Sequence, residues 1–128
     1  MIPYCKATGV GLIPWSPLAR GVLCRPWGQG SYRENNDKYL GKIIRGKACE
    51  ADEMIVGRVQ ELAQRHDVSM ACIATAWSVS KGCCPIIGLS SRERIEEAVR
   101  NSQFKLSDEE CGYLEDVYEP KAIEEENM

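Results

Sequence analysis

The sequence predicts an α/β fold built on parallel βαβ packing. Three observations carry that expectation. Two short apolar runs, 11–14 and 83–89, each end in a loop. A helical pair lies between them, and two capped helices follow the second run. Each run is apolar on both faces, as strands buried between other layers are. Two strands do not make a self-standing sheet, so the chain is expected to be one piece of a larger α/β domain.

The elements follow in order. Residues 3–8 form the end of a helix, closed by Gly9 in the left-handed position that glycine tolerates. The first strand, 11–14, opens into a Pro-flanked loop. From 25 to 49 regularity fades into turn formers, either a lid over a site or a surface excursion. Residues 52–66 are amphipathic, with Ile55, Val59, Leu62 and Ala63 on one face. Ser69 caps the next helix, where Met70, Ile73, Ala74 and Trp77 repeat at helical spacing up to Gly82. After the second strand, Ser90 and Glu93 read as a capping box for a helix with Ile95, Ala98 and Val99 inward. Ser107 and Glu110 repeat the device, and Leu106 with Cys111 is placed as a hydrophobic staple. The acidic tail, 122–128, is expected to fray.

Composition narrows the function. The chain has 128 residues, 44% of them hydrophobic and 27% charged, enough apolar mass for a core. A net charge of −3 without a basic stripe argues against nucleic acid, and no apolar run is long enough for a membrane span. The first residues lack the pattern of a signal peptide, so a cytoplasmic protein is expected. The seven cysteines show no repeated CxxC spacing, and with the one histidine they give no zinc motif. They are expected to act as small apolar fillers rather than as redox thiols.

The two strand ends carry the chemistry. At the first, Trp15 either packs in the core or offers its face to a flat ring, with Ser16 and the rigid Pro17 beside it. Arg20 either reaches a diphosphate or is solvated. At the second, Gly88 lets backbone approach a ligand, and Ser90 and Ser91 stand at a helix start where amides and dipole favour an anion. Arg92 and Arg94 add positive charge. A cap without a ligand explains the same serines. Two such junctions at the same end of neighbouring strands suit a dinucleotide.

Taken together, Trp-Ser-Pro-Leu-Ala-Arg-Gly at 15–21 and Pro-Ile-Ile-Gly-Leu-Ser-Ser-Arg-Glu-Arg-Ile-Glu-Glu-Ala at 85–98 closely resemble the aldo-keto reductase superfamily. Tyr-Leu-Glu-Asp-Val-Tyr-Glu-Pro-Lys at 113–121 fits its fungal NADP-dependent branch, which is similar to versiconal hemiacetal acetate reductases and aryl-alcohol dehydrogenases. The resemblance covers roughly 3–121 and implies the C-terminal part of a (β/α)8 barrel, strands and helices seven and eight plus an added helix. It implies that the family continues upstream of Met1, so that the chain is a truncated reductase domain. It also implies roles in holding NADP(H). Trp15 takes the place of the aromatic that stacks on the nicotinamide, while Ser16, Pro17, Leu18 and Arg20 line the diphosphate. Gly88, Leu89, Ser90 and Ser91 fall at the 2′-phosphate and its ribose. Arg94 clamps that phosphate or covers the adenine, which Glu97 and Ala98 also contact.

Two departures matter. Many members carry lysine where this chain has Gly88, which leaves the 2′-phosphate to Arg94 and Arg92. Many carry asparagine where Ala98 stands, which removes one adenine contact. The family reduces a small carbonyl substrate with a tyrosine acid, a lysine, an aspartate and a histidine. None of the tyrosines here occupies that motif, and His66 lies within an amphipathic helix, so no catalytic residue is assigned. The expected function is an NADP(H)-dependent carbonyl reductase represented by its cofactor-binding part and inactive alone. The alternative is a non-catalytic fragment that joins another chain through open strand edges.

Overall fold

The computed structural model describes residues 1–29 and 50–120. Most of the irregular segment expected at 25–49, and the tail expected at 122–128, lie outside the described residues. The described part is mostly helical. In order come α1 (Ile2–Thr8), a 3-10 segment (Ala19–Cys24), α2 (Glu50–His66), α3 (Met70–Ser80), α4 (Arg92–Arg100), a short 3-10 turn (Asn101–Gln103) and α5 (Asp108–Glu115).

The α/β expectation fails here. Among the described residues there is no strand, so the strand-bearing portion of a (β/α)8 barrel is not seen. The two apolar runs meet through a single parallel bridge, Leu12 to Cys83, with the Cys84 amide donating to the Leu12 carbonyl at 2.8 Å. The physical reason is the one the sequence already contained. Strand pairing is cooperative, and two short runs with no neighbour on either side cannot extend a ladder. Their burial nevertheless alternates: Leu12, Pro14, Cys83, Pro85 and Ile87 are half-buried, while Ile13, Trp15, Cys84 and Ile86 are exposed.

The core lies among α2, α3, α5 and the Ala19–Cys24 segment. Val56, Val59, Leu62, Ala63, Met70, Ile73, Ala76, Leu106, Cys111 and Leu114 form one buried cluster, against which Val22, Leu23, Trp27 and Trp77 pack. On α2 the buried face centres on Val56 and Val59, with Ile55 at its margin rather than in it. Ser69 caps α3 as expected, accepting from the Cys72 amide at 3.1 Å. Cys72, Ile73, Ala74, Ala76 and Ser78 are all buried, so α3 is covered on several sides. Gly9 closes α1 with φ +70°. Gly82 turns the chain after α3 with φ +81°.

Two helix starts differ from each other. In α5 the capping box forms: the Glu110 amide donates to Ser107 Oγ at 3.1 Å, and the Ser107 amide donates to Glu110 Oε2 at 2.9 Å. In α4 the cap is Ser91, not Ser90; its Oγ accepts from the Arg94 amide at 3.4 Å. The expected inward face of α4 is also uncovered, since none of its residues is buried.

Polar contacts fasten α5 to α2 and α3. Arg58 donates to the Tyr113 carbonyl and to Asp116, and its guanidinium lies 4.2 Å from the Tyr113 ring centroid. The Tyr113 hydroxyl donates to Glu61 Oε2 at 2.7 Å, and the Trp77 indole donates to Glu115 Oε1 at 2.7 Å. His66 pairs with Glu110 and sets its ring edge-on to Phe104, centroids 5.1 Å apart. The Ser107 amide, then His66, hold the Glu110 carboxyl below its ordinary value of 4.5, and Lys81 does the same for Glu115.

These shifts give a pH dependence of known sign. A depressed folded pKa adds stability that is fully present above the ordinary glutamate range and is lost as pH falls through the lower folded values. The chain is therefore expected to lose stability steadily below about pH 4.5. Glu110→Gln is expected to flatten that acid slope, read as urea midpoints between pH 3 and 6. An unchanged slope would remove Glu110 from the acid-sensitive set.

Candidate functional site

The loop after the Leu12 bridge has an unusual backbone. Ser16, Ala19 and Arg20 all have left-handed φ, +51°, +47° and +54°, and Gly21 follows at +99°. Non-glycine residues occupy that region at a cost and only when the surroundings hold them there. The holding bonds are local. The Arg20 amide donates to Ser16 Oγ at 3.0 Å, the Ala19 amide to the Ser16 carbonyl at 2.8 Å, and the Gly21 amide to the Leu18 carbonyl at 2.8 Å. Gly21 is required: a Cβ there would press on the Arg25 guanidinium at 3.2 Å, and its φ is strained for any side chain.

Trp15 is not a core residue. It is 77% exposed, and Arg20 lays its guanidinium carbon 5.0 Å from the ring centroid. A cation over an indole face is worth about 0.5–1 kcal/mol at an exposed site, so Arg20 orders the ring without fixing it against exchange. Pro17 and Leu18 are half-buried and shape the turn between these groups.

The second junction gathers around Arg94. Its guanidinium donates to Ser90 Oγ at 3.2 Å while its amide bonds Ser91 Oγ. Both serines are thus tied to one arginine at the start of α4. At Gly88 a Cβ would meet nothing within 4 Å, so the glycine leaves open space rather than relieving a clash. Leu89 is partly exposed, and Glu97 and Ala98 are half-buried one turn further along the helix.

Electrostatics link the two junctions. Burial raises the Cys24 thiol above its ordinary value, and Arg25 and Arg94 pull it back down while Glu97 pushes it up. Cys24 closes the 3-10 segment that follows Arg20, so Arg94 and Glu97 of α4 are within electrostatic range of the end of the first loop. Glu97 also raises the Cys72 thiol, again behind burial. The candidate residues therefore divide into two groups, Trp15 to Arg20 and Gly88 to Ala98.

One participant is engaged differently from the expectation. Glu93 accepts from its own backbone amide and from the Ser91 hydroxyl, and both hold its carboxyl below the usual range. The sequence placed Glu93 in a capping box with Ser90; shifting the cap to Ser91 turns the same carboxylate onto the helix start. An anion arriving at α4 meets this carboxylate as a competitor and Arg94 as its attractor. Cysteines also sort differently from the expectation. Cys5, Cys72 and Cys111 are buried fillers, Cys24 and Cys83 are half-buried, and Cys84 is exposed.

An exposed aromatic face, a guanidinium beside it, and a second guanidinium flanked by two hydroxyls at a helix start are donors suited to phosphate and a flat ring. Among the described residues, no group of three His, Cys, Asp or Glu side chains is arranged to hold a metal ion, and no helix is long and apolar enough to cross a membrane.

Comparison with known proteins follows the same boundaries. A profile of the aldo/keto reductase family matches residues 1–119. Versiconal hemiacetal acetate reductase of Aspergillus parasiticus is 51% identical over 125 residues, 96% of this chain and 36% of that protein. A Schizosaccharomyces pombe protein assigned as an aryl-alcohol dehydrogenase is 48% identical over 128 residues, 98% of this chain and 36% of that protein. An aldo-keto reductase of Fusarium vanettenii is 43% identical over 126 residues, 97% of this chain and 34% of that protein. The chain thus spans about a third of the length of these relatives.

Proposed function

Because the chain belongs to the aldo/keto reductase family, we propose that it supplies part of the surface that holds NADP(H) in a carbonyl-to-alcohol oxidoreductase. The single observation that carries this reading is Arg94. It joins Ser90 and Ser91 at the start of α4 and is felt electrostatically at Cys24, the end of the loop that bears Trp15 and Arg20. When bound, the dinucleotide supplies the hydride for the carbonyl carbon.

The chain's own residues bind and orient. Trp15 would offer an indole face to the nicotinamide, and Arg20, beside that ring, would serve the diphosphate. Ser16 keeps the loop in its left-handed turn through the Arg20 amide. Arg94 takes the 2′-phosphate with Ser90 and Ser91, which favours NADP(H) over NAD(H), and Arg92 adds charge. Glu97 and Ala98 face the adenine. Gly88 and Leu89 give the approach to the ribose, and Pro17 and Leu18 shape the diphosphate loop. No residue of this chain is assigned to proton transfer, and a small carbonyl compound is the substrate class of the whole enzyme. A cytoplasmic setting suits this chemistry.

The reading makes the isolated chain a binder without turnover. Purified protein of confirmed mass is expected to give no oxidation of NADPH above the blank with an aromatic aldehyde. Turnover in proportion to protein would overturn the assignment of the proton-transfer groups to polypeptide outside this chain.

A further inference from the structure

Most serines among the described residues are committed to backbone. Ser69, Ser91 and Ser107 cap helices, Ser80 and Ser102 donate to the Trp77 and Val99 carbonyls at 2.7 and 2.8 Å, and Ser16 accepts from the Arg20 amide. Ser90 does none of this. Because Ser91 takes the cap of α4, the Ser90 hydroxyl stays outside the helix's own bonding and accepts from the Arg94 guanidinium at 3.2 Å. Among the described residues it is the one serine whose oxygen meets a cationic side chain. The surroundings are open. Residues 84–90 lie outside helix and strand, Gly88, Leu89 and Ser90 are exposed, and a Cβ on Gly88 would meet nothing within 4 Å. Arg92 and Arg94, two and four residues further on, are exposed as well.

An exposed serine on irregular backbone, followed by arginines, can enter a protein kinase without a helix being unwound. We propose that Ser90 is a phosphoacceptor for a basophilic protein kinase, and that its phosphate takes Arg94 away from the dinucleotide. The step is phosphoryl transfer from ATP. The bond from Ser90 Oγ to the γ-phosphorus forms, the bond from that phosphorus to the bridging oxygen of ADP breaks, ADP leaves, and the hydroxyl proton passes to the kinase's aspartate base. The product carries a charge of about −1.5 to −2 at pH 7 and three acceptor oxygens. It stands on an oxygen already within hydrogen-bond distance of Arg94, so the arginine–phosphate pair is intramolecular, whereas a dinucleotide must reach Arg94 from solution. Of the other charged groups at this helix start, Arg92 pairs with Glu96 and Glu93 is engaged by Ser91, which leaves Arg94 as the one bonded to Ser90. The effect on the dinucleotide rests on the assignment of Arg94 to the 2′-phosphate; the phosphoacceptor itself does not.

The test has two arms on the full chain. In the first, the chain is incubated with ATP and a basophilic protein kinase that selects arginine two residues after its serine. Phosphate is expected on Ser90 by peptide mass spectrometry, and that label is lost in Ser90→Ala. Phosphate confined to other residues would overturn the proposal. In the second arm, phosphoserine is placed at position 90 by genetic encoding, with Arg94 kept or changed in Arg94→Ala, and helical circular dichroism checks that both chains are folded. The phosphorus NMR signal is expected to titrate at lower pH when Arg94 is present, because the guanidinium favours the dianion. Coincident titrations would overturn the pairing. With Arg94 present, the phosphate is expected to weaken NADPH binding by roughly tenfold or more and NADH binding much less. NADPH affinity unchanged by the phosphate would overturn the switch. An unmodified chain that binds neither dinucleotide, with the NMR difference intact, would overturn the cofactor reading and support the Ser90–Arg94 pair.

Discussion

Leu62→Ala is expected to destabilise the chain by about 3–5 kcal/mol, the upper part of the range for deleting a buried leucine side chain. Leu62 is 0% exposed and lies in the cluster that joins α2 to Ile73 of α3 and Leu114 of α5. Removing it leaves a cavity lined by three helices that the Arg58, Glu61 and Glu115 contacts tie to one another, so collapse around the void is limited. Domains of this size have only about 5–15 kcal/mol to lose. Urea unfolding followed by helical circular dichroism reads the change as a lower midpoint. Ile95→Ala is the control: the side chain is half exposed in the free chain and should shift stability by no more than about 0.5 kcal/mol. Equal effects of the two changes would mean that the core is elsewhere.

Arg94→Ala is expected to weaken NADPH binding about tenfold to a hundredfold, the equivalent of losing one or two charge-assisted hydrogen bonds in the range of ~1.5–3 kcal/mol. The lower end is the better expectation, because Arg94 is exposed and water screens its charge. NADH, which lacks the 2′-phosphate, should lose much less. Arg94→Lys should recover part of the affinity, since a single ammonium keeps the charge but not the forked donor geometry. Removing the competing carboxylate in Glu93→Gln should shift affinity the other way. A loss shared equally by NADPH and NADH would place Arg94 at the adenine instead of the phosphate.

The helices were legible because their signals are local. Gly9, Ser69 and the pair Ser107 and Glu110 each satisfy orphan backbone groups within three or four residues, and all act in the structure as their types predict. The strands were not legible in the same sense. Runs 11–14 and 83–89 have the composition of buried strands, but a strand is defined by its neighbours, and a single bridge is all that two short runs sustain. The cap of α4 slipped by one residue because Ser90 and Ser91 offer the same hydroxyl; Ser90 is instead engaged by the Arg94 guanidinium. Its apolar face was correctly identified as apolar and wrongly given a core to meet. For the candidate site, the sequence singled out both junctions, whereas the left-handed turn from Ser16 to Gly21, the stacking of Arg20 on Trp15 and the bonding of Glu93 at the helix start are matters of geometry.

The most direct measurement is an equilibrium titration of the purified chain with NADPH and, in parallel, with NADH, followed by tryptophan emission and by calorimetry. Saturable binding is expected, tighter for NADPH, with quenching that Trp15→Phe removes and affinity that Arg94→Ala reduces. No saturable heat for either dinucleotide from a chain that retains its helical spectrum would contradict a role for this surface in holding the cofactor.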